Sequence, residues 1–402
     1  MGVGANGNEI VTALTVSDND TIYIAGETDG DLKETNAGNK DAFIAKFDKN
    51  GIHQWTQQLG NTSIGAAASG NDLVAGISIN SSGNLFITGT TDGNLGEANG
   101  GGNDAYIAKF DANGTHIWTS QLGGITVGAA AAGNDLANAI AITNTGEVII
   151  AGSTNGDLGE TNSGLSDIYV SKFSTTGTHL WTQQLGTSSI AAAAVGDDQV
   201  SAISLDSNGN IFVTGRTSGS LGEAVGGSYD SYIAKFNSNG AYQWVRQLGN
   251  ITIGSGASMT DSGNAIALDS SGHIIIAGNT LGALSQLNGG SSDIYAAKLA
   301  SDNSSILWTS QIGAATLGSG SAGNDIALAS VVDANGALLV AGYTYGSVGE
   351  ANGGSSDILI TKFDANGHYV WAKQLGKVTM GSASSGADAA TAIALDSMVI
   401  FY

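Results

Sequence analysis

Short runs of alternating apolar and polar residues, bounded by clusters of Gly, Asn, Asp and Ser, follow one another along the whole chain. In one stretch they read NAIAIT (138–143), EVIIAGST (147–154), DIYVSKF (167–173) and THLWTQQLG (178–186). A period of two over five to eight residues is the mark of half-buried strands and not of helices. The first two runs join through turns such as DSNG (206–209), and the last two through DANG (111–114 and 364–367). In such turns an Asp side chain bonds the backbone that follows it and a Gly takes positive φ, so both links are expected to be hairpins. The middle link is longer, as in DGNLGEANGGGN (92–103), and has room for function.

The four-run unit repeats. Trp55, Trp118, Trp181, Trp244, Trp308 and Trp371 mark six copies, 63 or 64 residues apart. A supersecondary unit repeated at a fixed period cannot bury its apolar face alone, so the copies must stack. Solenoid coils take roughly 20 to 30 residues, whereas four meandering strands in roughly 40 to 50 or more make a propeller blade. The predicted fold is therefore all-β, a single β-propeller domain over 1–402 with six complete four-stranded blades and less than about 5% helix. Small residues in the first strand, Ala139 and Ala141 or Ala265 and Ala267, suit the crowded position nearest the axis, with the tryptophan strand outermost. Residues 380–402 repeat the register of 1–23, which predicts a partial seventh blade, a two-strand remnant. A frame shift and an evolved terminus are the two readings of Met398 to Tyr402, and an unguarded edge there would pair with a second copy.

The run GDDQVSAISLDSNGNIFVTGRTSG (196–219), followed by YDSYIAKFNSNGAYQW (229–244), resembles the bacterial SBBP repeat, named for a seven-bladed β-propeller. The likeness covers all six copies. It implies a bacterial protein, usually exported or attached to the cell surface, and it brings no shared catalytic residues. The added segment GITVGAAAAGND (124–135) and its equivalents depart from the family pattern.

Charge narrows the partners. With 35 acidic against 13 basic residues the net charge is -22, which repels phosphate backbones and anionic headgroups, so nucleic acid is not an expected partner. No apolar run approaches the roughly 18 residues that span a bilayer as a helix, and membrane insertion is not expected. Cysteine and proline are both absent, so neither disulfides nor thiolate metal sites contribute. Met1 and Gly2 already fall in register with Met380 and Gly381, so no signal peptide is expected within this stretch of sequence.

Several motifs imitate chemistry. GxGxxG occurs at Gly2, Gly4 and Gly7 and again at Gly318, Gly320 and Gly323, but neither precedes a helix. GxTxG, as at Gly89, Thr91 and Gly93, recurs in every copy; a nucleophile is needed once, and six copies describe a turn after the second strand. His53, His116 and His179 share one position on three different blades and cannot converge on a metal. The recurrent Lys109 is expected either to snorkel or to pair with a carboxylate such as Asp104, and Gln121 and its equivalents to satisfy backbone groups between blades.

One recurrent set could bind an ion. Glu9, Asp72, Asp135, Asp198, Asp261, Asp325 and Asp388 fall at one register position, just before the innermost strand, and would ring one mouth of the channel. Either they hold a hard cation such as Ca²⁺, or each accepts hydrogen bonds that fix one blade to the next; the second is the expectation, with no cofactor required. Residues that break the recurrence are where a unique site would lie: Lys33, Arg216, Arg246, Tyr343 and Tyr345. The reading that follows is a noncatalytic binding or scaffold module for a protein or glycan ligand, on a bacterial surface or secreted. A polysaccharide lyase or hydrolase working at a channel mouth is the alternative.

Overall fold

The computed structural model describes residues 7–59, 70–122, 133–185, 196–222, 224–248, 260–285, 288, 291–303, 305–312, 323–348, 351–376 and 386–395. The segment 124–132 and most of its equivalents, the first two glycines of each GxGxxG, and Met398 to Tyr402 lie outside the described residues. The described residues form 24 strands and no helix, in six antiparallel four-stranded sheets whose strand order follows the chain. Each sheet is one blade: Glu9–Leu59, Asp72–Leu122, Asp135–Leu185, Asp198–Leu248, Asp261–Ile312 and Asp325–Leu375 mark blades one to six.

Blade three shows how sequence sets the pattern. Its strands are Asp135–Ile142, Val148–Thr154, Asp167–Phe173 and His179–Leu185. The last three match the alternation read from sequence. The first begins three residues earlier than its apolar run, because a β-bulge leaves Asn138 without a partner between Ala137 and Ala139 and breaks the period of two. Asp135 therefore opens the first strand instead of preceding it.

The bulge explains the GxT motif. It pushes the Leu136 carbonyl toward the second strand, where a methyl added at Gly152 would stand 1.7 Å from that oxygen. Gly26, Gly89, Gly215, Gly278 and Gly342 face the same approach at 1.8–1.9 Å. These glycines lie within the second strand and not in a turn after it, and close packing is what selects them.

Blades bury their faces only against each other. One apolar cluster joins Ile149, Ile168 and Val170 of blade three to Val213, Tyr232 and Phe236 of blade four, and four similar clusters fill the other interfaces between consecutive blades. At the rim, Gly114, Gly177, Gly240 and Gly367 take φ of +81 to +85°, and an added methyl there would fall 2.5–3.1 Å from the tryptophan of the preceding blade. In blade five Asn303, at φ 61°, replaces that glycine.

The first strands surround an axial cavity of about 250 Å³ lined by Ala75, Gly76, Ala139, Ala202 and Ala265 among others. Residues Thr391, Ala392 and Ile393 line it as well. The expected two-strand remnant is not present among the described residues, where 386–395 runs as a single segment. It nonetheless docks on blade six as each first strand docks on the blade before it: Asp388 N–H donates to the Ser356 carbonyl at 2.8 Å.

Replacing Gly152 by alanine is predicted to cost about 3 kcal/mol or more, since the backbone of two strands must move apart. Gly51→Ala, at φ 76° with nothing near the added methyl, should cost only about 1 to 2 kcal/mol. Urea denaturation of the two variants measures the difference.

Candidate functional site

The recurrent aspartates are buried at the start of each first strand. Asp72, Asp135, Asp198, Asp261 and Asp325 are at most 1% exposed. Thr91, Thr154 and Thr217 donate their hydroxyls to Asp72, Asp135 and Asp198 at 2.5–2.6 Å. Each of these threonine oxygens also accepts a backbone N–H, from Gly93, Gly156 and Gly219. Glu9 takes the position in blade one, where Thr28 donates to it at 3.2 Å. The threonine of GxT is therefore a clamp on a carboxylate and not a nucleophile.

Each aspartate also ties two blades together through its backbone. The N–H of Asp72, Asp135, Asp198, Asp261, Asp325 and Asp388 donates to the carbonyl of Lys40, Asn103, Ser166, Tyr229, Ser292 and Ser356, at 2.7–2.9 Å. Among the described residues no three His, Cys, Asp or Glu side chains come together as a group that could hold a metal. The carboxylates are distributed one to each blade interface.

A second buried set, Asp41, Asp104, Asp167, Asp230, Asp293 and Asp357, opens the third strands. Gln58, Gln121, Gln184, Gln247, Gln311 and Gln374 donate to them at 2.7–2.9 Å. The same amides bond the loop between the second and third strands of their own blade, as Gln121 does with the Gly93 carbonyl and the Leu95 N–H. The expected interblade role of the glutamines is thus corrected to an intrablade one. So is the expected pairing of Lys109 with Asp104: the lysines reach the other end of the blade, where Lys172, Lys298 and Lys362 pair with Glu147, Asp269 and Asp333. His53, His116 and His179 are strand residues that meet Thr56, Thr119 and Thr182 at 2.8 Å and pack edge-on against Phe47, Phe110 and Phe173.

Against this recurrent frame several positions vary from blade to blade, among them the residue between Gly and Thr of GxT: Glu27, Thr90, Ser153, Arg216, Asn279 and Tyr343. All sit at the mouth where the first strands begin. Glu27 pairs with Lys40 at 2.5 Å. Tyr343 meets the exposed Tyr345 edge-on at 5.7 Å. Arg246 belongs elsewhere, donating to the Asn303 carbonyl of the next blade, and Lys33 contributes only a backbone N–H to Gln58.

Arg216 is the centre of a unique network. Its guanidinium lies 4.6 Å above the Tyr229 ring and donates from Nε and Nη2 to Gln199 Oε1 at 3.1 and 2.8 Å. Tyr229 Oη and Gln199 Nε2 both donate to Asp197 Oδ2, at 3.1 and 2.9 Å, while Ser166 donates to Oδ1. Burial, then the Asp197 carboxylate, push the Tyr229 phenol upward. Beside the network, Leu136, Ser153, Leu165, Asp197 and Gln199 line a cavity of about 490 Å³ between blades three and four. Leu165 is 73% exposed there.

Arg216 was visible as a break in recurrence, but Asp197, Gln199 and Tyr229 were not singled out. Aligning the copies by register would have found two of them: Asp197 replaces the Asn of Asn71 and Asn134, and Tyr229 stands where other blades have Lys40, Asn103 or Ser166.

Sequence comparison agrees with this architecture. Residues 54–97 and 180–223 match the SBBP family, described as a beta-propeller repeat. Two stretches of the chain are thus similar to the SBBP beta-propeller repeat. It is also 26% identical over 171 residues to the regulatory protein FlaEY of Caulobacter vibrioides, a match covering 38% of this chain and 16% of that protein's length. Among solved structures it is similar to the Cps50 (Swd1) beta-propeller domain of Myceliophteria thermophila, with 10% identity, TM-score 0.48, and 92% of this chain and 89% of that chain covered. The quinohemoprotein alcohol dehydrogenase of Comamonas testosteroni is similar at 10% identity, with TM-score 0.43 and 92% and 67% covered.

The buried aspartates predict an unusual pH dependence. Burial pushes Asp72, Asp135, Asp198, Asp261 and Asp325 from 3.8 up to about 7, against the opposing hydrogen bond from threonine. The folded chain thus binds more protons than the unfolded chain between these values, so stability present below about pH 4 is lost as pH rises through about 7. Asp269 acts oppositely: burial raises it, but Lys298 and His273 outweigh burial and hold it at about 2, so its contribution is lost only in strong acid. Urea unfolding is expected to give a stability lower at pH 8 than at pH 5 by on the order of 10 kcal/mol.

Proposed function

We propose that the protein is a noncatalytic binding or scaffold module of a bacterial cell-surface or secreted protein, and that it binds through the mouth where the first strands begin. The observation that carries this reading is a small set of positions at this mouth that differ from blade to blade, among them the residue between Gly and Thr of GxT and the sites of Asp197, Gln199 and Tyr229, set into a frame that is otherwise largely repeated. A repeated frame with a few variable residues per repeat presents different side chains at equivalent places, which is how repeat scaffolds build specific surfaces.

The chemistry at that mouth suits recognition. Leu165 and Leu136 supply apolar contact, Ser153 and Gln199 supply hydrogen-bonding groups, and an arginine stacked on a tyrosine is a pre-ordered cation. Asp197 is engaged by three side-chain donors, which makes it a positioning group for Tyr229 and Gln199. The bacterial, exported setting rests on the family resemblance, and the FlaEY relative is bacterial.

We further propose that 386–395 marks a seventh angular position between blade six and blade one. Its support is the docking of Asp388 on Ser356, repeated from every earlier interface, and the seven segments that line the axial cavity.

A glycan array and a panel of bacterial polysaccharides test the binding reading. The expected result is binding without release of reducing ends or unsaturated products, with Tyr229→Ala and Arg216→Ala each weakening it about tenfold. Turnover by the wild type, abolished by Asp197→Asn, would establish the lyase or hydrolase alternative instead.

A further inference from the structure

At the opposite end of the blades, six lysines recur on the third strands, and they do not share one fate. Lys172, Lys298 and Lys362 meet carboxylates at 2.6, 2.8 and 3.4 Å. Lys109 of blade two has Asn80 and Asn84 in its own first hairpin where blade three supplies Glu147. Its Nζ donates to the Thr175 carbonyl of blade three at 3.0 Å and lies 5.2 Å from the centre of the Phe86 ring. An ammonium has three N–H donors, so this bonding leaves two for another group.

Lys109 stands in a cleft of about 740 Å³ between the first hairpins of blades two and three. Ile79 and Ile142 give the cleft apolar surface, and Asn80, Ser82, Thr143 and Asn144 supply amides and hydroxyls. Among the described residues no carboxylate lines it. Glu147, in the first hairpin of blade three, is taken by Lys172 at 2.6 Å and by the Thr145 hydroxyl at 3.1 Å. Burial lowers the Lys109 pKa, as expected of a cation drawn partly out of water without a counter-charge. The neighbouring cleft around Lys46, about 630 Å³, includes Asp18 in its lining and is a poorer place for an anion.

We infer that the Lys109 cleft is a binding site for an acidic sugar, a uronate unit whose carboxylate meets the Lys109 ammonium while its hydroxyls meet the amides and hydroxyls of the two hairpins. A volume of several hundred Å³ holds one or two sugar rings, and many neutral hydrogen-bonding groups around one cation match a polyhydroxylated ligand with one negative charge. In a chain of net charge -22, a pocket without carboxylates is a local exception that admits such a ligand. The site is independent of the mouth bearing Arg216 and lies at the other end of the strands.

Titration calorimetry with digalacturonate and with neutral digalactose tests the site on the full chain. Digalacturonate is expected to bind and digalactose to bind at least about tenfold more weakly. Lys109→Gln should reduce digalacturonate affinity at least about tenfold, and so should Asn144→Asp, which brings a negative charge into the cleft without touching the lysine. Lys362→Gln, at the equivalent lysine of blade six and away from both this cleft and the Arg216 mouth, should leave it within about twofold. Absence of binding by the wild type, or equal binding by the folded Lys109→Gln and Asn144→Asp proteins, would overturn the inference.

Discussion

The backbone N–H of one aspartate per repeat, donated across to a carbonyl of the preceding blade, is the bond on which the rest of the architecture depends. It fixes where each first strand starts relative to its neighbour, at 2.7–2.9 Å in six successive places. The side chain of the same residue is turned into its own blade and clamped by the threonine that closes the second strand. One residue thus sets both the interblade register and the end of a hairpin. A carboxylate is a costly group to bury, and the raised proton affinity of five of these aspartates is the consequence.

Other recurrent features follow from this clasp. The bulge after the aspartate lets the first strand curve away toward the axis, and the carbonyl it displaces leaves space only for glycine in the second strand. Since the apolar clusters are shared by consecutive blades, none has a complete core of its own. The tryptophan of one blade covers the turn glycine of the next, so the rim is joined in the same direction as the centre. Stability is therefore a property of neighbours, as in other repeat arrays.

Much of this was legible in the chain because repetition multiplies weak signals. Alternation over a seven-residue run would be ambiguous once, whereas six copies with tryptophan at a constant interval define a blade. Legibility failed where a residue's partner depends on a turn of the backbone. The bulge at Asn138 hid Asp135 from the strand. Lys109 and Asp104 share a third strand but sit at its opposite ends, which no pattern of residue types reveals without the pairing register. The Arg216 network draws on residues 197, 199, 216 and 229, which break the repeat at separate places along the chain and come together only in the fold. Recurrence is a strong guide to framework and a poor guide to what the framework holds.

Native-state hydrogen exchange tests the clasp most directly, through the amides of Asp72, Asp135, Asp198, Asp261, Asp325 and Asp388. If these bonds weld consecutive blades, the first five should exchange only with global unfolding, as slowly as the central strand amides of Ile150 and Val213, and Asp388 should be protected well above an open segment. Exchange of all six at the rate of free turn amides would show that the blades are held by their apolar faces alone and would contradict the account.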